Sequence, residues 1–199
     1  GFHYVMGNRL LLGAISLDMF AVLLGGTNAL LPIFARDILH MGPEGLGALR
    51  AAASTGALTM AGWLSWRPVR DNVGRKMLVA VAIYGIATIG FGLSRTLILS
   101  LLCLIVLGAA DMVSVYIRQS LVQIATPDDR RGRVGAISGL FIAGSNELGE
   151  MESGVAAALL GPVGAVLLGG AGAILLAGLW ARLFPELPAA RRFEQVDPG

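Results

Sequence analysis

Six apolar runs follow one another along this chain, each near the roughly 20 residues an α-helix needs to cross a bilayer. They are Leu10–Phe34, Leu46–Trp66, Met77–Leu93, Leu97–Val122, Val134–Leu160 and Val163–Leu183, of which Met77–Leu93 is the shortest. In hydrocarbon, backbone N–H and C=O groups must satisfy one another, which leaves a spanning chain only the helix or the closed barrel. Long runs without polar alternation specify helices. The connectors "HMGPEG", "RPVRDNVGRK", "SRT", "TPDDRRGR" and "GPVG" are short and built from turn residues, so no soluble domain fits between the runs. The expected architecture is an all-α membrane protein, a six-transmembrane-helix bundle over residues 1–184. The polar, proline-bearing stretch 185–199, "PELPAARRFEQVDPG", reads as a disordered tail. The first run is too long for a signal peptide and lacks an A-x-A-like cleavage site.

Charge supports the same reading. Only 14% of the 199 residues are charged and the mean hydropathy is +0.74, whereas soluble domains carry about a quarter charged residues. Glycine, at 28 residues, suits helices that pack closely in lipid. The single Cys103 excludes a disulfide within the chain, and a net charge of +2 gives no footing for nucleic acid. With the N-terminus placed in the cytoplasm, 11 of the 15 basic residues fall on the cytoplasmic side. Arg36, Arg50 and Arg95 fall outside, and Arg118 lies within the fourth run. By the positive-inside rule both termini of this multi-pass protein are then cytoplasmic. No phosphate-binding G-x-x-x-x-G-K-[ST] loop, H-E-x-x-H or G-x-S-x-G is present. An enzyme is therefore not expected, nor any cofactor or metal.

Six ionisable residues lie well inside the runs: Asp18, Asp111, Arg118, Glu147, Glu150 and Glu152. Each costs roughly 2.5–3.5 kcal/mol at a helix centre on insertion scales, against about 0.3–0.6 kcal/mol returned by each strongly apolar residue. The three glutamates of "GSNELGEMESG" (144–154) therefore make the fifth run unstable alone in lipid. It needs partner helices or a watery cavity. At 100° per residue Asn146, Glu147, Glu150 and Ser153 share a face, with Glu152 nearly opposite. Asp111, Ser114, Val115 and Arg118 make an i, i+3, i+4, i+7 stripe on the fourth run. Asp111, Arg118, Glu147 and Glu150 are expected to line one aqueous path, a carboxylate there carrying a proton. The plainer reading makes some of these charges structural, Arg118 pairing with a carboxylate and Glu152 bridging helices. "GGTNALLP" marks a distortion near Asn28 and Pro32, and "GAISG" (135–139) permits a close helix contact.

The connector Asp71-x-x-Gly74-Arg75-Lys76 resembles the D-R-x-G-R-[RK] loop signature of the major facilitator superfamily, with Asn72 where arginine is frequent. Asp71 is expected to face the positive end of a neighbouring helix, such as the start of the fifth run near Val134, and the loop to latch one conformation. "TPDDRRGRV" and "SNELGEMESG" resemble the C-terminal half of the branch that holds enterobactin exporters and drug effluxers, also labelled transmembrane secretion effectors. The resemblance covers nearly the whole chain. It implies helices seven to twelve of a twelve-span secondary transporter, one half of a major facilitator fold. It also implies a small-molecule substrate, a siderophore or drug, exchanged against protons. Its partners would be the lipid bilayer and a missing N-terminal six-helix half or a second copy of itself. Two other readings stand beside it. One is a degenerate half that binds a partner without transporting. The other is an intramembrane protease on Asp18 and Asp111, whose surroundings lack that class's tyrosine–aspartate and G-x-G-D motifs.

Overall fold

The computed structural model describes residue 7 and residues 9–24, 27–69 and 71–185; the tail read as disordered lies almost wholly outside the described residues. Helix accounts for nearly all of what is described. The first apolar run holds α1 (Arg9–Leu24) and α2 (Thr27–Ile33), followed by a π-helical turn, Phe34–Ile38. Pro32 sits inside α2. Its ring displaces the carbonyl four residues back and it donates no hydrogen bond, so the wider turn directly after it has a local cause.

Next come α3 (Pro43–Trp66), α4 (Val73–Leu93), α5 (Leu97–Ala125) and α6 (Arg131–Leu183). Helix α4 begins four residues before the expected Met77. Asn72 takes a left-handed conformation (φ 53°) that ends the loop, and its carbonyl accepts from the Lys76 N–H at 2.9 Å. Gly74, Arg75 and Lys76 thus form the first turn of a helix. Basic residues there hide the helix start from any reading of apolar runs.

At 53 residues α6 would be about 80 Å long if straight, far beyond a bilayer core of roughly 30 Å. It is broken at Gly161 (φ 81°, ψ 163°), directly before Pro162. The fifth and sixth runs become two arms, 131–160 and 162–183, joined through one residue. That backbone region is essentially open only to glycine, so Gly161→Ala is expected to cost about 1–3 kcal/mol. No atom stands where the new Cβ would go, so a lowered thermal midpoint in detergent would report backbone strain alone.

Helices α4, α5 and α6 each have the length and apolar composition to cross a membrane. Helix α3, at 24 residues, has the length without the same apolarity, and α1, at 16 residues, is shorter. Two core clusters hold the bundle together. One gathers Leu11 and Leu17 of α1, Met77 of α4, Ile117 and Leu121 of α5, and Ala173 of the second arm of α6. The other centres on Phe34, Leu49, Phe91, Leu104 and Val166, with the Phe34 and Phe91 rings 4.7 Å apart. Trp180 Nε1 donates to Ser16 Oγ at 3.0 Å and ties the second arm to α1.

Glycines set the helix spacing where backbones meet. A Cβ on Gly85 would stand 2.6 Å from the Gly170 carbonyl oxygen, and one on Gly170 would stand 2.7 Å from that of Gly85. Gly56 and Gly108 face the Ile105 and Ala53 carbonyls in the same reciprocal way. At Gly135 and Gly139, whose spacing permits a close contact, no atom of the described residues lies within 4 Å of a Cβ built on either. Beyond Val134 at its start, the first arm of α6 buries a stripe of small residues, Ser138, Ser145, Gly149, Ser153 and Ala156. Its outer side shows large apolar residues, Leu140 (73% exposed) and Leu159 (79%) among them.

Candidate functional site

Burial of charge locates the site. Asp18 of α1 and Arg118 of α5 are both buried, with Arg118 Nε 2.9 Å from Asp18 Oδ2 and side-chain exposures of 8% and 4% for arginine and aspartate. The approach is close but off the line of the N–H, so charge holds this pair more than a directed hydrogen bond does. Arg118 Nη1 also donates to Ser138 Oγ on the first arm of α6 at 3.3 Å. Three helices meet at one guanidinium.

One turn away along α5, Asp18, Ser114 and Asp111 line a cavity of about 20 Å³ together with Tyr84. A water needs about 10–15 Å³ and two or more polar partners, so this hole fits a single water between the two carboxyl groups. Asp111 is exposed on its other side. There it borders a cleft of about 560 Å³ that Asn28, Pro32, Arg50 and Glu150 also line. Arg118 in turn borders a second cleft, of about 490 Å³, with Gln119, Gln123, Arg131 and Ser138. In that second cleft Arg131 is itself engaged, with Nε donating to the Gln123 carbonyl at 2.9 Å and Nη1 lying 2.6 Å from Asp128 Oδ1. Cleft, Asp111, water-sized cavity, Asp18, Arg118 and cleft form one polar seam along α5.

The seam differs in membership from the expected path. Asp111 and Glu150 do share a cleft, but Arg118 turns away from them to Asp18. Glu147 and Asn146 are exposed on the open side of the first arm and do not line the cleft. Ser153 lies in the buried stripe, not on the open face with Glu147, and Glu152 is half-buried at that stripe's margin. The rotation follows from packing, since the small residues of the arm turn inward and carry Asn146 and Glu147 out. Arg50, sorted to the outer side by charge alone, stands in the second turn of α3 and lines the cleft with both carboxylates. The signal that could have found it is its place inside the second apolar run.

In the latch loop, Asp71 is exposed directly before Asn72, Gly74 is buried, and Arg75 and Lys76 are exposed. Val134, at the start of α6, is fully buried in the same core cluster as Val73 and Met77. The beginnings of α4 and α6 are therefore parts of one packed unit.

A helical bundle with intramembrane charges on its inner helix, and the D-x-x-G-R-K turn at a helix start, narrows the family. Residues 9–197 match the family model described as transmembrane secretion effector, within the major facilitator superfamily. The chain belongs to this family. A curated relative, the enterobactin exporter EntS of Citrobacter koseri, is 30% identical over 165 residues, 82% of this chain and 37% of its own length. The chain thus spans a little over a third of that relative. Membership places this secretion-effector bundle in a membrane, and it makes the water-sized cavity and the two clefts features of a transporter-family fold.

Proposed function

We propose that this secretion-effector chain is one half of a secondary active transporter that exports a small molecule against protons. Asp111 and Asp18 would carry the proton, with Arg118 as the countercharge that Asp18 releases and regains. One observation supports the reading above all others: Asp111 borders both the wide cleft and the water-sized cavity that leads to the buried Asp18–Arg118 pair. Intramembrane ionisable groups that face a cavity and pair with one another mark proton relays in pumps and transporters. Asp111 takes a proton from the cleft and passes it through one water to Asp18. Protonation of Asp18 releases Arg118 toward the second cleft, and return of the guanidinium in the other conformation expels the proton from Asp18 to that cleft's water and restores the pair. Glu150 and Arg50, on the wall of the first cleft, contact the substrate or steer it. The loop Asp71, Gly74, Arg75 and Lys76 latches one conformation at the end where α4 and α6 begin.

The substrate class is that of the resembling branch, a siderophore or a drug. Transport requires a second six-helix half, supplied by further chain or by a second copy, because one bundle offers only one wall to a central site. The exposed Leu140, Met151 and Leu159 on the first arm of α6 fit such a covering. The protein sits in the bacterial inner membrane with both ends of the bundle in the cytoplasm.

Asp111→Asn tests the relay. In vesicles carrying the complete transporter, efflux driven by an imposed pH gradient is expected to fall to background in this variant. Exchange of labelled for unlabelled substrate, which moves no net proton, is expected to persist. Gradient-driven efflux at the wild-type rate would sink the proposal.

A further inference from the structure

Helix α5 has two working sides. One carries Asp111 toward the cleft described above. The other forms the floor of a separate groove of about 730 Å³ between the end of α3 and the beginning of α4. This second groove meets the proposed proton path only at Ala80 and Ala110, which also line the water-sized cavity, and none of its basic residues belongs to that path.

Its chemistry is divided along its length. The deeper part is apolar, walled by Val79 and Ile83 of α4 and by Ile105 and Val106 of α5. All four side chains are exposed, between 36% and 49%. The mouth is basic, lined by Arg67, Arg75 and Lys76, with no acidic residue among the groove's lining. Asp71, the nearest acid in sequence, does not line it, and neither Arg75 nor Lys76 forms an ion pair among the described residues. Arg67 is held in place by two rings, its guanidinium 5.5 Å from the centroids of both Trp63 and Trp66. Trp63 lines the groove, and both indoles are exposed.

Tryptophans beside basic residues mark the level of lipid headgroups. From Lys76 to Ile83 the groove descends seven residues, about 10 Å along a helix. That is within the roughly 15 Å of hydrocarbon in one leaflet. We propose that this groove binds one anionic phospholipid of the cytoplasmic leaflet. The headgroup phosphate sits among Arg67, Arg75 and Lys76, and an acyl chain lies on Val79, Ile83, Ile105 and Val106. A free phosphate would use only the mouth and leave the apolar floor uncovered, so the lipid is the occupant that both ends of the groove fit. The inference rests on the bundle lying in a membrane with this loop at the cytoplasmic side, and is independent of proton coupling. Because Arg75 and Lys76 belong to the latch loop, a bound lipid holds the same cations the latch employs.

Trp63 supplies a reporter. The complete transporter would be reconstituted in vesicles of phosphatidylcholine containing a small fraction of phosphatidylglycerol brominated on its acyl chains, with brominated phosphatidylcholine at equal fraction as reference. Indole quenching by the brominated phosphatidylglycerol is expected at an at least roughly fivefold lower fraction than for the neutral lipid, given the pull of three cations. Trp63→Phe with Trp66→Phe should remove most of that difference and so localise it. In R67Q/R75Q/K76Q the preference is expected to vanish, while R133Q, with a basic residue elsewhere removed, should keep it. Equal quenching by the two lipids in the wild type would overturn the proposal without recourse to any variant. So would a preference that survives R67Q/R75Q/K76Q, or displacement of the brominated lipid by millimolar glycerol phosphate, which would make the site one for a free anion.

Discussion

Asp18→Asn with Arg118 kept is expected to cost this bundle about 3–5 kcal/mol, because it leaves a guanidinium buried among three helices with no carboxylate in contact. The magnitude comes from desolvation. A buried pair adds little net stability over a well-packed apolar pair, but half a pair retains the full cost of a charge removed from water. The double variant Asp18→Asn/Arg118→Gln should therefore recover most of the loss, as both sites are then neutral. The coupling between the two positions is read from the four midpoints of a double-mutant cycle, measured by denaturation in detergent micelles. Additive losses would mean that the two groups do not sense each other. Transport separates the roles further: the double variant regains stability but not gradient-driven efflux, since no titrating group remains at position 18.

The second large effect is expected at the crossing of α3 and α5. Gly56→Val and Gly108→Val each place a branched side chain against a main-chain carbonyl of the facing helix, Ile105 and Ala53 respectively. A side chain in the way could move to another rotamer; a helix backbone yields only by shifting the whole helix. Overpacking of this kind costs about 1–3 kcal/mol per site, and more where nothing relaxes. The two glycines lie on the same crossing, so their combined loss should depart from the sum: once one valine has pushed the helices apart, the second meets less resistance. Gly62→Val, on the same helix with no atom within 4 Å of its Cβ position, should stay near the wild-type midpoint. Thermal unfolding of the three single variants and the Gly56/Gly108 double checks all of this.

That the chain is helical and that α4, α5 and α6 are long and apolar enough to span was legible, because both follow from a length requirement that acts locally. So was the distortion at Pro32, where the π-helical turn begins within two residues. The start of α4 was not, since it is fixed by a left-handed Asn72 inside a loop whose charge looks the same in a turn or a helix. Charges were easy to find and hard to pair. Asp18 and Arg118 were each marked as buried charges, but their partnership spans 100 residues and depends on which way α1 and α5 turn, for which no local pattern exists. For the first arm of α6, the three glutamates drew attention to themselves. Its inward face is instead chosen by the small residues Ser138, Ser145, Gly149 and Ser153, which let neighbouring backbones approach. Arg50 was hidden by its nearness to a run's end, where a cation ordinarily reaches headgroups.

The hole between Asp18 and Asp111 has a bearing on what the bundle lets through. At about 20 Å³ it takes one water molecule and nothing larger. A proton crosses such a gap by hopping along hydrogen bonds, whereas a sodium or potassium ion would have to shed its hydration shell to enter. In the proposed relay, a gap of that bore would pass protons and hold back hydrated salt ions, so that the cell's salt gradients would not leak along the same route.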